Sequence, residues 1–190
     1  MCIRDRIGDL KELRRLDVSS NQLFSLPTSI QKLNQLEELH LNGNKLTELP
    51  SEIGDLNKLW WLYVNNNQLV SLPTSIQKLN QLGELQLNGN KLTELPSEIG
   101  DLTELRELYV SNNQLISLPT SIQKLNQLEQ LYLSGNRLTE LPSEIGDLKE
   151  LWRLDVSGNP LSMDAIHVLE KKKKGRTISV ITGGCGDNFQ

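Results

Sequence analysis

Residue types capable of catalysis or metal binding are scarce in this chain. It contains two histidines, His40 and His167, and two cysteines, Cys2 and Cys185. A nucleophile and its base must lie within hydrogen-bond reach of each other, and neither His167 nor Cys185 falls in a recognisable catalytic motif. His40 with Glu38 would supply only two of the roughly four ligands that a zinc ion takes. The sequence therefore predicts no catalytic residues and no metal site.

Paired acids and a glycine-rich segment are equally weak signals. Glu37, Glu38 and Glu107 fall in segments that read as strands of an open sheet, whereas an acid and base pair needs an enclosed pocket. The segment TGGCGD, at 182–187, lacks the spaced lysine and Ser/Thr of a phosphate-binding loop and the helix that follows such a loop. We expect no cofactor.

Composition and charge narrow the classes of function. The 190 residues are 37% hydrophobic and 23% charged, which is ordinary for a globular domain. The formal net charge of -4 gives no general attraction to phosphate backbones, so we expect no nucleic-acid partner. No run of about 18 apolar residues is present, so we expect no membrane span. The two cysteines form no disulfide framework, which favours a reducing, cytoplasmic compartment.

The dominant feature of the sequence is a period of 23 residues. Asparagines recur at this spacing, at Asn21, Asn44, Asn67, Asn90, Asn113, Asn136 and Asn159, and so do prolines, at Pro27, Pro50, Pro73, Pro96, Pro119 and Pro142. Around each asparagine the apolar frame reads L-x-x-L-x-x-L-x-[LV]-x-x-N-x-L, as in LNKLWWLYVNNNQL, usually followed by x-x-L-P-x-x-I. This frame resembles the leucine-rich repeat family, in the "LP" type of intracellular Ras-associated scaffolds and many bacterial proteins. The resemblance covers residues 7–161.

Elementary physics predicts how such a repeat folds. Leu62 and Val64 alternate with residues of the other face, as in a short strand that is buried on one side. One such strand cannot bury its apolar face alone, so the repeats must stack. Each asparagine amide can satisfy backbone groups in the turn after the strand, and each Leu-Pro step ends the extended segment. Stacking therefore predicts a parallel sheet wound as a solenoid, with one strand from each of the seven frames. The resemblance implies that this α/β-type solenoid is a leucine-rich-repeat horseshoe, with a concave β-sheet and short helical or irregular convex segments.

A second period of 46 residues overlies the first. Residues 10–55, 56–101 and 102–147 are three nearly identical copies. Thirteen columns differ among the copies, and nine of these lie in the strand segments, whereas convex residues such as Thr47 and Glu48 are unchanged. We interpret the strand face as the surface on which selection favours different residues in different copies. The alternative is chance variation after a recent duplication.

Every tryptophan and tyrosine of the chain falls in these variable strand positions. Alternation places Tyr109 and Tyr132 on the exposed face of the sheet, as neighbours on adjacent strands. Tryptophan and tyrosine dominate the energetics of many interfaces, although aromatic residues also favour strands for reasons unrelated to binding. We expect the concave face to bind a partner through Trp60, Trp61, Tyr63, Tyr109, Tyr132, Trp152, Arg153, Glu38, His40, Glu84, Gln86, Glu107 and Gln130.

The charges of this face indicate the chemistry of a partner. Acids gather along the middle strands, at Glu37, Glu38, Glu84, Glu107 and Glu129. Arginines lie toward the two ends, at Arg14, Arg15 and Arg153. A partner with a basic or mixed patch and an apolar centre would fit. Gly83 falls between Trp60 and Arg106 in its column, which predicts a shallow gap that a partner side chain would fill.

The N-terminal end departs from the repeat. Residues 1–6, MCIRDR, occur nowhere else in the chain and resemble the translation of a transposon end used in preparing sequencing libraries. We expect them to be a non-native leader on a fragment of a longer gene. Leu10, Leu13 and Leu16 would then lie at an uncovered sheet edge, where edge pairing could occur in a chain that we otherwise expect to be monomeric.

The C-terminal end departs from it as well. We predict that residues 162–182 form a cap, a helix followed by the strand TISVI, and that residues 183–190 form a flexible tail. Lys171–Lys174 reads as the solvated end of that helix. The alternative is a docking site for an acidic lipid or a nucleic acid.

Two hypotheses for function follow. Resemblance to the leucine-rich repeat family implies a non-catalytic module that binds a protein or peptide on its concave aromatic and acidic face. The alternative is the recognition segment of a larger signalling enzyme, a kinase or a GTPase, whose catalytic domain lies outside this chain. The fold alone does not name a partner, because it serves many functions.

Overall fold

A parallel β-sheet of short strands forms one face of a solenoid. The computed structural model describes residues 7–162, 165 and 178–182. The sheet has eight strands, which follow one another in chain order. They are β1 Arg15–Asp17, β2 Glu38–His40, β3 Trp61–Tyr63, β4 Glu84–Gln86, β5 Glu107–Tyr109, β6 Gln130–Tyr132, β7 Arg153–Asp155 and β8 Ser179–Ile181. The predicted horseshoe with a parallel concave sheet is confirmed.

The eighth strand comes from outside the seven repeat frames. β8 lies in the segment TISVI, which we predicted to close the last repeat, and Val180 is the register partner of Leu154 in β7. Ala165 is helical and buried. The predicted leader at 1–6, the rest of the predicted cap helix with His167 and Lys171–Lys174, and the tail at 183–190 lie outside the described residues.

Short 3₁₀ helices form the convex face. They span Ile7–Asp9, Thr28–Lys32, Ser51–Asp55, Thr74–Lys78, Ser97–Asp101, Thr120–Lys124 and Ser143–Asp147. The helix Ser51–Asp55 follows Pro50, which is extended, with φ -66° and ψ 151°. The Pro50 carbonyl accepts the backbone N–H of Ile53 at 3.0 Å. Because proline cannot donate to a sheet, each Leu-Pro step starts a tight turn instead of lengthening the strand.

Leucine and isoleucine side chains fill the space between the sheet and the 3₁₀ helices. Leu39, Leu62 and Leu85 at the centres of their strands are fully buried, as are Ile53 and Ile76 from the convex side. The same columns contribute in successive repeats, so the core is one continuous stack. Within the described part of the chain, no helix has the length and apolar character needed to cross a membrane.

A ladder of buried asparagines joins successive repeats. Asn67 donates from Nδ2 to the carbonyl oxygens of Leu41 and Val64, at 2.9 and 3.2 Å. Its Oδ1 accepts the backbone N–H of Leu46 at 3.0 Å. The pattern recurs at Asn44, Asn90, Asn113 and Asn136. One amide thus satisfies backbone groups of two repeats, which confirms the structural role predicted for it.

A second set of turn residues lies directly after the strands. Oδ1 of Asn42 accepts the backbone N–H of Asn65, and Oδ1 of Asn65 accepts that of Asn88, both at 2.8 Å. The next position is left-handed in every repeat, with φ between 54° and 67°, at Ser20, Gly43, Asn66, Gly89, Asn112, Gly135 and Gly158. Three of the nine columns that vary among the copies, and that we assigned to the strand face, belong to this turn instead. The residues that replace one another in these three columns are types that such a turn accepts.

Contacts between neighbouring repeats also stabilise the convex face. Lys78 pairs with Asp55 at 3.2 Å, and a Cβ added at Gly54 would lie 2.3 Å from the Ser75 carbonyl oxygen. Neighbouring 3₁₀ helices therefore approach too closely for any side chain at Gly54. Part of the invariance of the convex residues has this structural cause.

The concave face as a candidate protein-binding site

The concave face carries the side chains that flank the central leucine of each strand. In β3, Leu62 is fully buried while Trp61 and Tyr63 are half-buried on the opposite face. The same alternation holds in β2 and β4–β7. It brings together Trp61, Tyr63, Tyr109, Tyr132, Glu38, His40, Glu84, Gln86, Glu107, Gln130 and Arg153, as period-two alternation requires. Their part in binding stays a prediction.

Aromatic rings on this face contact one another across strands. Tyr109 and Tyr132 stack with ring centroids 4.6 Å apart and planes 7° from parallel. His40 meets Tyr63 edge to face at 4.7 Å. The Arg153 guanidinium lies 5.3 Å from the centre of the Tyr132 ring. Rings held in this way lose little conformational freedom when a partner binds.

The tryptophans at the start of the strands are placed differently. Trp60 precedes β3, and its ring lies 5.9 Å from that of Trp61, at a steep angle of 65°. A Cβ at Gly83 would lie 2.6 Å from Cε2 of Trp60. The predicted gap at Gly83 is therefore wrong as an open site, because the Trp60 indole itself covers the glycine. Trp152 precedes β7 and is 46% exposed.

Three glutamates of this region are paired with arginines of the chain. Arginine to glutamate ion pairs link Arg14 to Glu37 at 2.9 Å, Arg15 to Glu38 at 3.3 Å, and Arg106 to Glu129 at 2.9 Å. Each pair joins residues at equivalent positions of adjacent repeats, so their charges largely cancel locally. Two glutamates of the sheet, Glu84 and Glu107, make no ion pair with any described residue.

Tyrosine hydroxyls reach these two carboxylates. The Tyr63 hydroxyl donates to Glu84 at 2.9 Å, and the Tyr109 hydroxyl donates to Glu107. Burial, followed by the hydrogen bond to the carboxylate and its negative charge, raises the pKa of both tyrosines well above the usual range. Both hydroxyls therefore remain neutral donors at physiological pH.

The described part of the concave face lacks the enclosed pocket and the clustered ligands that catalysis and metal binding use. A depression at the edge of the concave face is lined by Glu37, Lys58, Trp60, Trp61 and Gln81, and it is open to solvent. Across the described residues, no three His, Cys, Asp or Glu side chains are grouped so that they could hold a metal ion. Open acids on a sheet do not provide the enclosure that acid–base catalysis uses.

A second exposed apolar row was missed from the sequence. Phe24, Val70 and Ile116 are 59%, 54% and 61% exposed. They follow the asparagine turn, away from the concave face, and recur every 46 residues, where the intervening repeats carry threonine. That alternation of apolar residue and threonine was the signal available in the sequence.

The comparisons with known proteins identify the family. The profile of the family "Leucine-rich repeat region" matches residues 2–114, and that of "Leucine Rich repeats (2 copies)" matches residues 103–144. The chain is a leucine-rich repeat protein. Leucine-rich repeat domains generally mediate protein–protein interaction, and proteins of this family are typically non-catalytic.

Solved leucine-rich repeat structures share this architecture. A leucine-rich repeat protein of Leptospira interrogans is 37% identical, with a TM-score of 0.80, and the match covers 92% of this chain and 50% of that one. An internalin of Listeria monocytogenes is 23% identical, with a TM-score of 0.74 over 89% of this chain and 47% of that one, and it supports the fold alone.

Curated relatives match over shorter segments. The leucine-rich repeat protein SHOC-2 of Danio rerio is 51% identical over 39 residues, which are 20% of this chain and 7% of that protein. The CCR4-Not complex 3'-5'-exoribonuclease subunit Ccr4 of Saccharomyces cerevisiae is 53% identical over 38 residues, which are 20% of this chain and 4% of that protein. The chain thus matches less than a tenth of the length of either relative.

Proposed function

We propose that this leucine-rich repeat protein binds a protein or peptide on its concave face and is itself non-catalytic. The observation that carries the proposal is the aromatic surface of β3, β5 and β6. There Trp61, Tyr63, Tyr109 and Tyr132 lie half-buried on one face, and two of them are already stacked. Rigid aromatic side chains of this kind are the usual anchors of protein interfaces.

The size of the face fits this role. Strands in a sheet lie about 4.8 Å apart, so β1–β7 extend over roughly 30 Å, which is comparable to one side of an interface that buries about 800 Å² per partner. We propose a cytoplasmic scaffold, with a role in signal transduction, that engages no nucleic acid and is monomeric except for pairing at the β1 edge. The order of segments that we propose is leader 1–6, repeats 7–161, cap 162–182 and tail 183–190.

A second candidate function is the recognition segment of a larger signalling enzyme, such as a kinase or GTPase. The observation that favours it is that one relative with a similar segment, of 38 residues, is named as an enzyme subunit, the yeast exoribonuclease Ccr4. In that case the concave face would still bind a partner, and catalysis would belong to another domain.

The test is a selection from a displayed library of random peptides, using immobilised wild-type protein. We expect enriched peptides to lose binding to the triple variant Trp61→Ser, Tyr63→Ser, Tyr109→Ser. The variant should still unfold cooperatively, with a lowered thermal midpoint, because ring contacts and two tyrosine hydrogen bonds are lost while the buried leucine stack is untouched.

The matched control is the variant Phe24→Ser, Val70→Ser, Ile116→Ser. It removes three exposed apolar side chains from outside the concave face, and it should bind the selected peptides as the wild type does. Equal loss of binding in both variants would place recognition elsewhere, and loss of folding in the first variant would show that its residues are structural.

A further inference from the structure

One row of concave side chains crosses the sheet in register. It runs Arg15, Glu38, Trp61, Glu84, Glu107, Gln130 and Arg153, one residue from each of β1–β7. Arginines stand at its two ends and acids at its centre. At one end Arg15 pairs with Glu38, and at the other the Arg153 guanidinium packs on the Tyr132 ring. The chain itself therefore shows how this surface contacts a guanidinium group.

The centre of the row holds uncompensated negative charge. Glu84 and Glu107 are register partners on adjacent strands, and their hydrogen bonds come from neutral donors, the hydroxyls of Tyr63 and Tyr109 and, for Glu84, the Gln86 amide at 2.6 Å. Like charges directly opposite each other destabilise a sheet. Both carboxylates are half-buried, so a cation placed between them would interact more strongly than at an open surface.

The surroundings of these carboxylates favour a planar cation. Trp61 is the register partner of Glu84 on the other side, which sets an indole beside a carboxylate. A guanidinium can contact the carboxylate and the indole together, because it donates two parallel hydrogen bonds to a carboxylate and stacks on an aromatic face. An ammonium group is a point charge and does not use the ring and the carboxylates in the same plane. A metal ion lacks further ligands here, since no group of three suitable side chains occurs among the described residues.

We propose that the concave face binds an arginine side chain from an extended segment of a partner protein, between Trp61 and the Glu84 and Glu107 pair. This inference rests on the proposed function and names the chemistry of its partner. Charge complementarity carries it: of the five glutamates on the sheet or directly before it, Glu37, Glu38 and Glu129 pair with an arginine of this chain, and these two do not. The partner's arginine completes the same pattern.

The experiment uses three synthetic peptides of the same length, which repeat Gly-Arg-Ser, Gly-Lys-Ser or Gly-citrulline-Ser. Citrulline keeps the shape of arginine and removes its charge. Binding to the full chain is measured by titration calorimetry at physiological salt. We expect the arginine peptide to bind at least about tenfold more tightly than the citrulline peptide, and also more tightly than the lysine peptide.

Two matched variants assign that preference to the pair. The double variant Glu84→Gln, Glu107→Gln should bind the arginine and citrulline peptides alike, while its Gln side chains still accept the tyrosine hydrogen bonds. The control Glu48→Gln, Glu94→Gln makes the same change of net charge at exposed acids outside the sheet and should keep the preference.

Three results would overturn the inference: equal binding of arginine and citrulline peptides by the wild type, equal binding of arginine and lysine peptides, or an arginine preference that survives in the variant Glu84→Gln, Glu107→Gln. None of these would touch the proposed function. That proposal fails separately, if peptides selected from the library are insensitive to the loss of Trp61, Tyr63 and Tyr109.

Discussion

At the scale of single residues, the asparagine ladder shows how one side chain can join two repeats. Asn90 is buried, and it donates to the carbonyl oxygens of Val64 and Leu87, both at 2.9 Å. It also accepts the backbone N–H of Leu69. Without the amide, the Leu69 N–H loses this partner, and each of the two carbonyls keeps only the side-chain bond from a neighbouring asparagine. All three groups belong to fully buried residues, so water does not replace the lost bonds and their loss is a direct cost.

We therefore expect Asn90→Ala to lower the free energy of unfolding by about 3 kcal/mol. Asn80→Ala is the matched control, because Asn80 is exposed, and its effect should stay below about 0.5 kcal/mol. Urea unfolding followed by circular dichroism measures both. Similar losses of stability in the two variants would mean that the ladder is not what holds the turns.

Tyr63 and Tyr109 give a prediction for alkaline pH. Burial and the bonded carboxylates raise their folded-state pKa above that of the unfolded chain, so the folded state holds these protons more tightly. Their stabilising effect is fully present below about pH 10, the ordinary pKa of tyrosine, and is lost as the pH rises through the folded-state pKa.

Tyrosinate absorbance of the wild type, compared with single Tyr63→Phe and Tyr109→Phe variants, assigns the two titrations. Both tyrosines should ionise well above pH 10, roughly the value for free tyrosine. Glu84→Gln should lower the pKa of Tyr63 more than that of Tyr109, because Glu84 accepts a hydrogen bond from Tyr63, whereas the Tyr109 hydroxyl donates to Glu107. Ionisation of both near the ordinary pKa would contradict the hydrogen-bond geometry.

At the scale of elements, close approach of the 3₁₀ helices determines how the convex face packs. Gly54 and Gly100 each face the backbone of the next helix, where an added Cβ would lie 2.3 Å from the carbonyl oxygens of Ser75 and Ser121. Because the obstacle is backbone, shortening the serine side chain would not relieve the contact. The glycines are therefore needed for helix spacing, although neither has a positive φ.

Gly54→Ala should lower the free energy of unfolding by about 2 kcal/mol, because the two helices must separate. Gln77→Ala, at an exposed position on the helix that Gly54 faces, is the control and should change stability little. Thermal unfolding of both variants provides the measurement. A Gly54→Ala protein as stable as wild type would show that the helices can shift freely.

At the scale of the whole molecule, stability should fall from the centre of the solenoid toward β1. Leu10 is 54% exposed, and Val18 is half-buried, whereas the equivalent Val64 and Val110 are fully buried. In a solenoid each repeat contacts only its neighbours, so weaker burial in one repeat lowers stability locally.

Hydrogen exchange tests this gradient with matched amides. The backbone N–H groups of Val18 and Val110 donate to neighbouring strands at 3.0 and 2.8 Å, so their hydrogen bonds are similar and their burial is not. We expect the Val18 amide to exchange at least about tenfold faster than that of Val110. Equal protection of the two amides would mean that the solenoid opens as a single unit.

The sequence by itself determined the repeat, the parallel sheet, the buried columns and the asparagine ladder. Each of these recurs in every repeat, and stacking requires the same position to be buried or bonded each time, so periodicity alone reveals it. Leu62 and Asn67 illustrate this, because their burial and bonding follow from the frame that contains them.

Only the tertiary structure decided which of the less regular residues are free. It paired Glu37 and Glu38 with arginines and left Glu84 and Glu107 without them, and it laid Trp60 over Gly83. It also assigned Asn42 and Asn65 to a turn. These outcomes depend on which neighbour a flexible side chain reaches across adjacent strands, and a pattern along one dimension does not contain that choice of rotamer and contact.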